Sequence, residues 1–200
     1  MVEVIILKKK ETLKDGTGIL IRTLTFNDLE QLMAFFLSLP YEDRKYLKID
    51  VTDKSAVEKR IKDVECGIAV RIIALHKNNI IAIGTLELGA DDWHKSMGEL
   101  RVAVSRDFQR KGLGLMMLRE LYLIAVDHKV EKIVVKMLRP QIAARKICKK
   151  LGFREELLLP AYVKDQDKKD QDLLIMTGNI DELWREFETI YKDSDWQRCR

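Results

Sequence analysis

Apolar positions along this chain switch between two spacings, and the switches mark an alternation of strands and helices. After a lysine-bearing start and the turn-like Lys14-Asp15-Gly16-Thr17-Gly18, the apolar run Ile19 to Leu24 predicts a strand. Leu29, Leu32, Met33, Phe36 and Leu37 then recur at i, i+3, i+4, i+7 and i+8, the stripe of a helix with Thr25 or Asn27 as N-cap and Pro40 at its end. A more polar helix is expected over Ser55 to Val64. Two β-rich runs, Ile68 to His76 and Ile80 to Leu86, flank Lys77-Asn78-Asn79, a hairpin connection. A polar loop with Asp91-Asp92-Trp93-His94 leads to the strand-like Leu100 to Val104, and a helix-like run begins at Leu115. Ile133 to Val135 reads as a strand, followed by a helix ending Lys149-Lys150-Leu151-Gly152-Phe153, where Gly152 suits a C-cap of positive φ. Glu156 to Leu159 and Leu173 to Met176 are strand candidates separated by a charged loop, Lys164 to Asp172. Ile180 to Tyr191 reads as a last amphipathic helix, with Leu183, Trp184, Phe187 and Tyr191 on one side.

Length and composition fit one domain built on this pattern. The 200 residues are 46% hydrophobic and 34% charged, enough for a real core and short for two. No apolar segment is long enough to span a membrane, and the start places Glu3 before a short apolar run and lysines after it, the reverse of a signal peptide. Cys66, Cys148 and Cys199 are odd in number and far apart, which suggests neither a disulfide framework nor a metal site and makes a reducing cytoplasm the expected compartment. His76, His94 and His128 are scattered without ligand spacing, so no metal is assigned. The net charge of +4, from 36 basic and 32 acidic residues, favours an anionic cofactor, but no basic stripe argues for nucleic acid. Pairing with a second copy of the chain stays open.

The chemistry concentrates in Gln109-Arg110-Lys111-Gly112-Leu113-Gly114, which links the Leu100 to Val104 run to the helix after it. Glycines let a backbone approach an anion closely. The first-turn amides of a helix have no intrahelical partner, and the helix dipole is positive at that end. Arg110 and Lys111 add charge. The turn therefore suits a phosphate, although glycines also serve ordinary turns.

Gln-x-x-Gly-x-Gly after Glu99-Leu100-Arg101-Val102-Ala103-Val104-Ser105-Arg106-Asp107-Phe108 resembles the coenzyme A pyrophosphate loop of the GNAT superfamily of N-acetyltransferases, and the Lys-Leu-Gly-Phe ending at Phe153 extends the likeness. The stretch from Glu99 to Phe153 is most similar to the catalytic domain of bacterial Pat-type protein-lysine acetyltransferases. The resemblance implies an α+β fold over about residues 18–178, followed by a helix over 180–192. Its mixed, largely antiparallel sheet, flanked by helices, splays between the strand ending at Val104 and the strand at Ile133 to Val135. It implies acetyl-CoA as co-substrate, with the backbone of Val102, Ala103 and Val104 along the pantetheine arm and Gln109, Arg110, Lys111, Gly112, Leu113 and Gly114 at the phosphates. It also implies direct attack of an amine on the thioester.

An alkylammonium holds its proton up to about pH 10.4, so such an attack needs a base beside the thioester. In the Pat-type pattern that base is the glutamate matching Glu99; Glu87, at the end of the preceding strand, is a rival. Many members carry Asn and Tyr where this chain has Gln141 and Cys148. Gln141 is a candidate cofactor contact. Cys148 is a candidate acid for the departing sulfur, though a lone cysteine on an apolar helix face also reads as a small buried hydrophobe. Pat-type domains lack the tyrosine too. A thiolate leaves readily, so a strong acid is dispensable. The expected acceptor is a protein lysine; a small-molecule amine, or a CoA-binding domain without turnover, are the alternatives.

Overall fold

The structure is a computed structural model that describes residues 7–193. Met1 to Ile6, Trp196 and Arg198-Cys199-Arg200 lie outside the described residues. Eight strands form one sheet: β1 (Lys8–Thr12), β2 (Gly18–Thr23), β3 (Ala69–His76), β4 (Asn79–Leu88), β5 (Met97–Val104), β6 (Lys132–Leu138), β7 (Arg154–Lys164) and β8 (Asp170–Asn179). Their spatial order is β1-β2-β3-β4-β5-β6-β8-β7, antiparallel except where β5 meets β6. Among the described residues the α-helices are α1 (Leu29–Ser38), α2 (Tyr41–Arg44), α3 (Lys54–Glu65), α4 (Leu113–Asp127), α5 (Ile142–Lys150) and α6 (Ile180–Asp193).

Two apolar clusters lie on opposite faces of the sheet. α4 and α5 cover one, with Leu113, Met117, Leu121 and Leu151 against Ile72, Leu86, Leu100 and Ile133. α1 and α3 cover the other, with Leu32, Phe36, Val57 and Ile61 against Ile73 and Ile83. The entry to α1 is fixed by Asp28, which accepts from the Thr25 amide at 2.8 Å and from both terminal nitrogens of Arg22 at 2.7 and 2.6 Å. Burial would raise the Asp28 carboxyl, but Arg22 and Thr25 outweigh it and hold the group below its ordinary range.

The sequence pattern located most of these elements but gave no sign of α2, and it differs at several others. The lysine-bearing start is the edge strand β1, whose alternation is disguised because Lys9 reaches inward to pair with buried Glu120 at 3.0 Å. Phe35, not Leu37, completes the buried face of α1, and Leu37 stands 53% exposed. β7 and β8 run longer than their apolar cores and reduce the charged loop to 165–169. The hairpin between β3 and β4 turns on Lys77 (φ 48°) and Asn78 (φ 67°), leaving Asn79 as the first residue of β4. Gly152 closes α5 at φ 88°, and Trp184 stacks on Tyr122 with ring centroids 4.9 Å apart.

Candidate active site

β5 and β6 stay together only from Met97↔Lys132 through Gly98↔Ile133 to Glu99↔Val134, whereas β5 pairs with β4 along its whole length to Ala82↔Val104. Beyond Glu99 the sheet opens into a slot with β5 as one lip. The Ser105 amide bonds to the Ile81 carbonyl (2.9 Å) and the Met97 carbonyl receives the Gly89 amide (3.1 Å), so odd-numbered residues of β5 turn their peptide groups toward β4. By strand alternation Val102 and Val104 turn theirs into the slot. Val104 offers its carbonyl to the Gln109 side-chain amide at 3.1 Å, which ties the loop after β5 to this lip. Ala103 has the opposite orientation and packs toward α1.

The glycine loop continues from the slot. Arg110 (φ 60°) and Gly112 (φ 86°) are both left-handed around Lys111, an alternation that gathers successive amides into an anion-binding concavity at the start of the fifteen-residue α4. Gln109 and Arg110 are exposed, and the Leu113 side chain is buried in the core, leaving its backbone at the helix end. Lys111 is tied to Asp15 at 3.0 Å, and Arg106 to Asp43 at 2.9 Å. A slot edged by free strand amides and ending in such a concavity fits a pantetheine diphosphate: Val102 and Val104 would flank the arm, Gln109 to Gly114 would face the phosphates, and the thioester supplies an activated acyl group.

Gln141 stands at the N-terminus of α5. Its Oε1 accepts the Leu138 amide at 2.8 Å, which fastens the end of β6 to the start of α5. Cys148 lies on the core side of α5 at 8% exposure, and burial pushes its thiol up to about 11. Cys148→Ala is therefore expected to act on packing, lowering stability by about 1 kcal/mol in a denaturant titration with turnover changed less than about threefold. A deep loss of turnover in that variant would make the thiol the leaving-group acid.

Glu99 stands where the strands part, on the face covered by α1 and α3. Directly across the ladder is Glu87, and two like charges facing each other on adjacent strands require cations between them. Arg101 bonds to both, at 2.5 Å to Glu99 and 2.9 Å to Glu87. Lys136 reaches across the fork to Glu99 at 3.0 Å, and Lys48 stands 3.6 Å from Glu99 and 3.8 Å from Glu87. Arg60 of α3 and Arg71 of β3 approach Glu87 to 3.3 and 3.8 Å. Burial would raise the Glu99 carboxyl, yet Arg101, Lys136 and Lys48 together hold it below the usual glutamate value. It is a carboxylate through the neutral range, half-enclosed and hydrogen-bonded, placed at the blind end of the slot.

Beside it a pocket of about 90 Å³ opens between the sheet and the segment joining α2 to α3, walled by Leu32, Phe36, Arg60, Arg71, Thr85 and Arg101 among others. The sequence reading named Glu99 and Glu87 but none of the cations around them. A signal was present: Arg71 shares its strand face with Ala69 and Ile73, a charged position in an otherwise apolar row. His94 pairs with Asp91 at 2.7 Å in an exposed loop. Among the described residues no group of three or more His, Cys, Asp or Glu could hold a metal, and no helix is long and apolar enough to cross a membrane.

Comparison with known proteins agrees with this geometry. The family model described as the Acetyltransferase (GNAT) family matches residues 28–153. A search of curated proteins finds no match. Among solved structures, ribosomal-protein-S5-alanine acetyltransferase from Vibrio fischeri superimposes with a TM-score of 0.73 at 12% identity, over 88% of this chain and 97% of that one. Mycobacterium smegmatis RimJ in complex with CoA-disulfide gives 0.73 at 13% identity, over 92% and 93%. The GNAT domain of S. lividans PAT gives 0.71 at 16% identity, over 86% and 96%. At these identities the structures share the fold alone, whereas the family match covers more than half of the sequence and includes both the forked strand and the phosphate loop. The chain belongs to the GNAT family of acetyltransferases, enzymes that use acetyl-CoA as co-substrate.

Proposed function

We propose that this acetyltransferase modifies a primary amine and that Glu99 is the general base. The observation that carries the reading is the position of Glu99 at the parting of β5 and β6, an ionised carboxylate at the end of the slot. In the reaction the amine nitrogen bonds to the acetyl carbon, the carbon–sulfur bond breaks, and CoA departs as a thiol. Glu99 takes the proton that the ammonium form must lose, directly or through one water, and Arg101 and Lys136 hold its carboxylate in place. Val102 and Val104 bind the arm through their backbone, and the loop from Gln109 to Gly114 binds the diphosphate. Gln141 supports the slot by fixing the end of β6 rather than by touching the cofactor.

A protein lysine as acceptor draws its support from the likeness to the PAT domain and from the sequence pattern around Glu99. A small amine draws its support from a specific feature, the confined pocket beside Glu99. The compartment we assign is a reducing cytoplasm, consistent with the free thiols of Cys66 and Cys148. The test is incubation of the pure protein with isotopically labelled acetyl-CoA, separately with a cell lysate and with a set of small amines. Label in protein bands supports the first acceptor class, and label in small amides the second. Saturable binding of acetyl-CoA with no transfer in either arm defeats the proposal.

A further inference from the structure

Arg71 lies in the middle of β3, 2% exposed, on the wall of the pocket next to Glu99. Its Nη1 and Nη2 atoms have no hydrogen-bond acceptor among the described residues. Asp63 and Glu87 face it at 3.6 and 3.8 Å, distances at which they balance charge without receiving its N–H groups, and Glu87 is already bonded to Arg101. A guanidinium carries five donors in a planar fork that matches a carboxylate or phosphate. Burying that fork unmatched is costly, and the cost is recovered when an anion enters. Burial, with the like charge of Arg60 adding to it, pushes Arg71 down to about 10, which still leaves it cationic near neutral pH.

Strand register places this unmet demand beside the proposed base. Arg71, Thr85 and Arg101 form one cross-strand row, and Ala69, Glu87 and Glu99 form the next row two residues along. The two rows are about 7 Å apart along the strands, and β3 and β5 lie about 10 Å apart across the sheet. Arg101 and Lys48 line the same pocket as Arg71 and contact Glu99, so a small molecule held at Arg71 can extend toward Glu99. The pocket of about 90 Å³ is smaller than the ~150 Å³ cavity that holds a benzene ring, so it admits a short chain of heavy atoms and not a folded peptide segment. Around Glu87, Glu99 and Asp63 the cations Lys48, Arg60, Arg71, Arg101 and Lys136 outnumber the carboxylates, which leaves surplus positive charge for an anion.

We propose that the acceptor is a small amine carrying its own anion, a carboxylate of the amino-acid type, held by Arg71 with its amine at Glu99. This rests on the reading of Glu99 as the base. It also assigns Arg71 a binding role that no feature of the acetyl-CoA slot requires. The anion fills the guanidinium fork and fixes the distance to the amine, so selectivity is governed by the presence of the charge and the number of bonds between the two groups.

The test uses the full-length protein and matched sets of amines: α-, β- and γ-amino acids, the primary amide of each, and the corresponding decarboxylated amines. O-phosphoethanolamine and lysine-containing peptides complete the panel. CoA release is followed with acetyl-CoA present, and thermal stabilisation by each amine is measured without it. At least one amino acid should be used about tenfold or more better in kcat/KM than both its amide and its decarboxylated form. In Arg71→Met, a near-isosteric apolar replacement, the ratio of acid to neutral analogue should fall toward one through KM. Better use of O-phosphoethanolamine than of every carboxylate keeps the anion pocket and reassigns its anion to phosphate.

Equal use of acid and amide by the wild-type protein overturns the proposal without recourse to any variant. So does discrimination that survives in Arg71→Met, or faster acetylation of lysine peptides than of every small acid; the last leaves the acetyltransferase reading of Glu99 intact. Stabilisation by the acids that is lost in Arg71→Met, with no turnover of any amine, upholds the anion pocket while removing Glu99 as a working base.

Discussion

Glu99→Gln lowers kcat by about 10²- to 10⁴-fold, the range associated with loss of a general base, while affinity for acetyl-CoA stays within about twofold. The substitution keeps the size of the side chain and an acceptor oxygen for Arg101, so the fork between β5 and β6 is preserved. What disappears is the ability to take a proton. The two effects separate because, on the proposed reading, cofactor binding uses the backbone of Val102 and Val104 and the glycine loop rather than the Glu99 carboxylate. The pH dependence carries a second signature. Burial would raise Glu99, but Arg101, Lys136 and Lys48 depress it, so its own acid limb lies below the ordinary glutamate range. Through neutral pH the wild-type rate should climb as the acceptor loses its ammonium proton, and the climb should persist at a far lower level in Glu99→Gln. Steady-state kinetics between about pH 5.5 and about pH 9 check both points. Normal turnover in the variant would move the base role to Glu87 or to water.

Gly112→Val should raise the dissociation constant for acetyl-CoA by about 10- to 100-fold and cost on the order of 2 kcal/mol of stability. At φ 86° the position is left-handed, a conformation that costs an ordinary L-residue roughly 1–2 kcal/mol and a β-branched one more. The backbone relaxes toward negative φ, and the amides from Arg110 to Gly114 cease to converge. Gly114→Ala provides the control. A Cβ at Gly114 would meet Val104 Cγ2 at 3.8 Å, an ordinary contact, so alanine fits there and affinity should stay within about threefold. Calorimetry with acetyl-CoA and thermal melts of both variants make the comparison. If Gly112→Val melts lower yet binds acetyl-CoA as well as the wild type, the loop is a structural turn and the diphosphate lies elsewhere.

The acceptor side follows a different logic from the cofactor side. On the proposed reading acetyl-CoA is met by main-chain groups whose direction is set by strand alternation and helix geometry, and such groups tolerate wide variation in side chains. The proposed acceptor site is a charged network in which Glu87 and Glu99 share Arg101, with Arg60, Arg71 and Lys48 drawn in around them. Breaking one member leaves the others buried and unbalanced, so substitutions there combine effects on folding with effects on binding. Comparison of kcat, KM and melting temperature in the same variant separates the two.

How much of this was legible in the chain differs between backbone and side chains. The stripe from Leu29 to Phe36, the hairpin around Lys77-Asn78 and the helix end at Gly152 depend on neighbours a few residues away, and local spacing revealed them. The turn from Gln109 to Gly114 was legible for the same reason, since its glycines shape its own backbone. Local spacing misjudged β1, where a polar edge strand is completed by Glu120, 111 residues from Lys9. It misjudged Leu37 and Phe35 because a helix stripe is fixed to within one position until a sheet is laid against it.

The sequence by itself determined most of the strands and helices and the glycine turn before α4, since each is encoded in a short window of residue types. Only the tertiary structure decided that β5 and β6 part after Glu99, that Gln141 is occupied in closing β6, that Cys148 is buried, and that four cations besides Arg101 converge on the carboxylate pair. Those facts depend on which strands become neighbours. Pairing joins β3, β4 and β5 across more than thirty residues of chain, and the energy of bringing Arg71, Glu87 and Glu99 onto one buried face comes from the apolar layers on either side of the sheet.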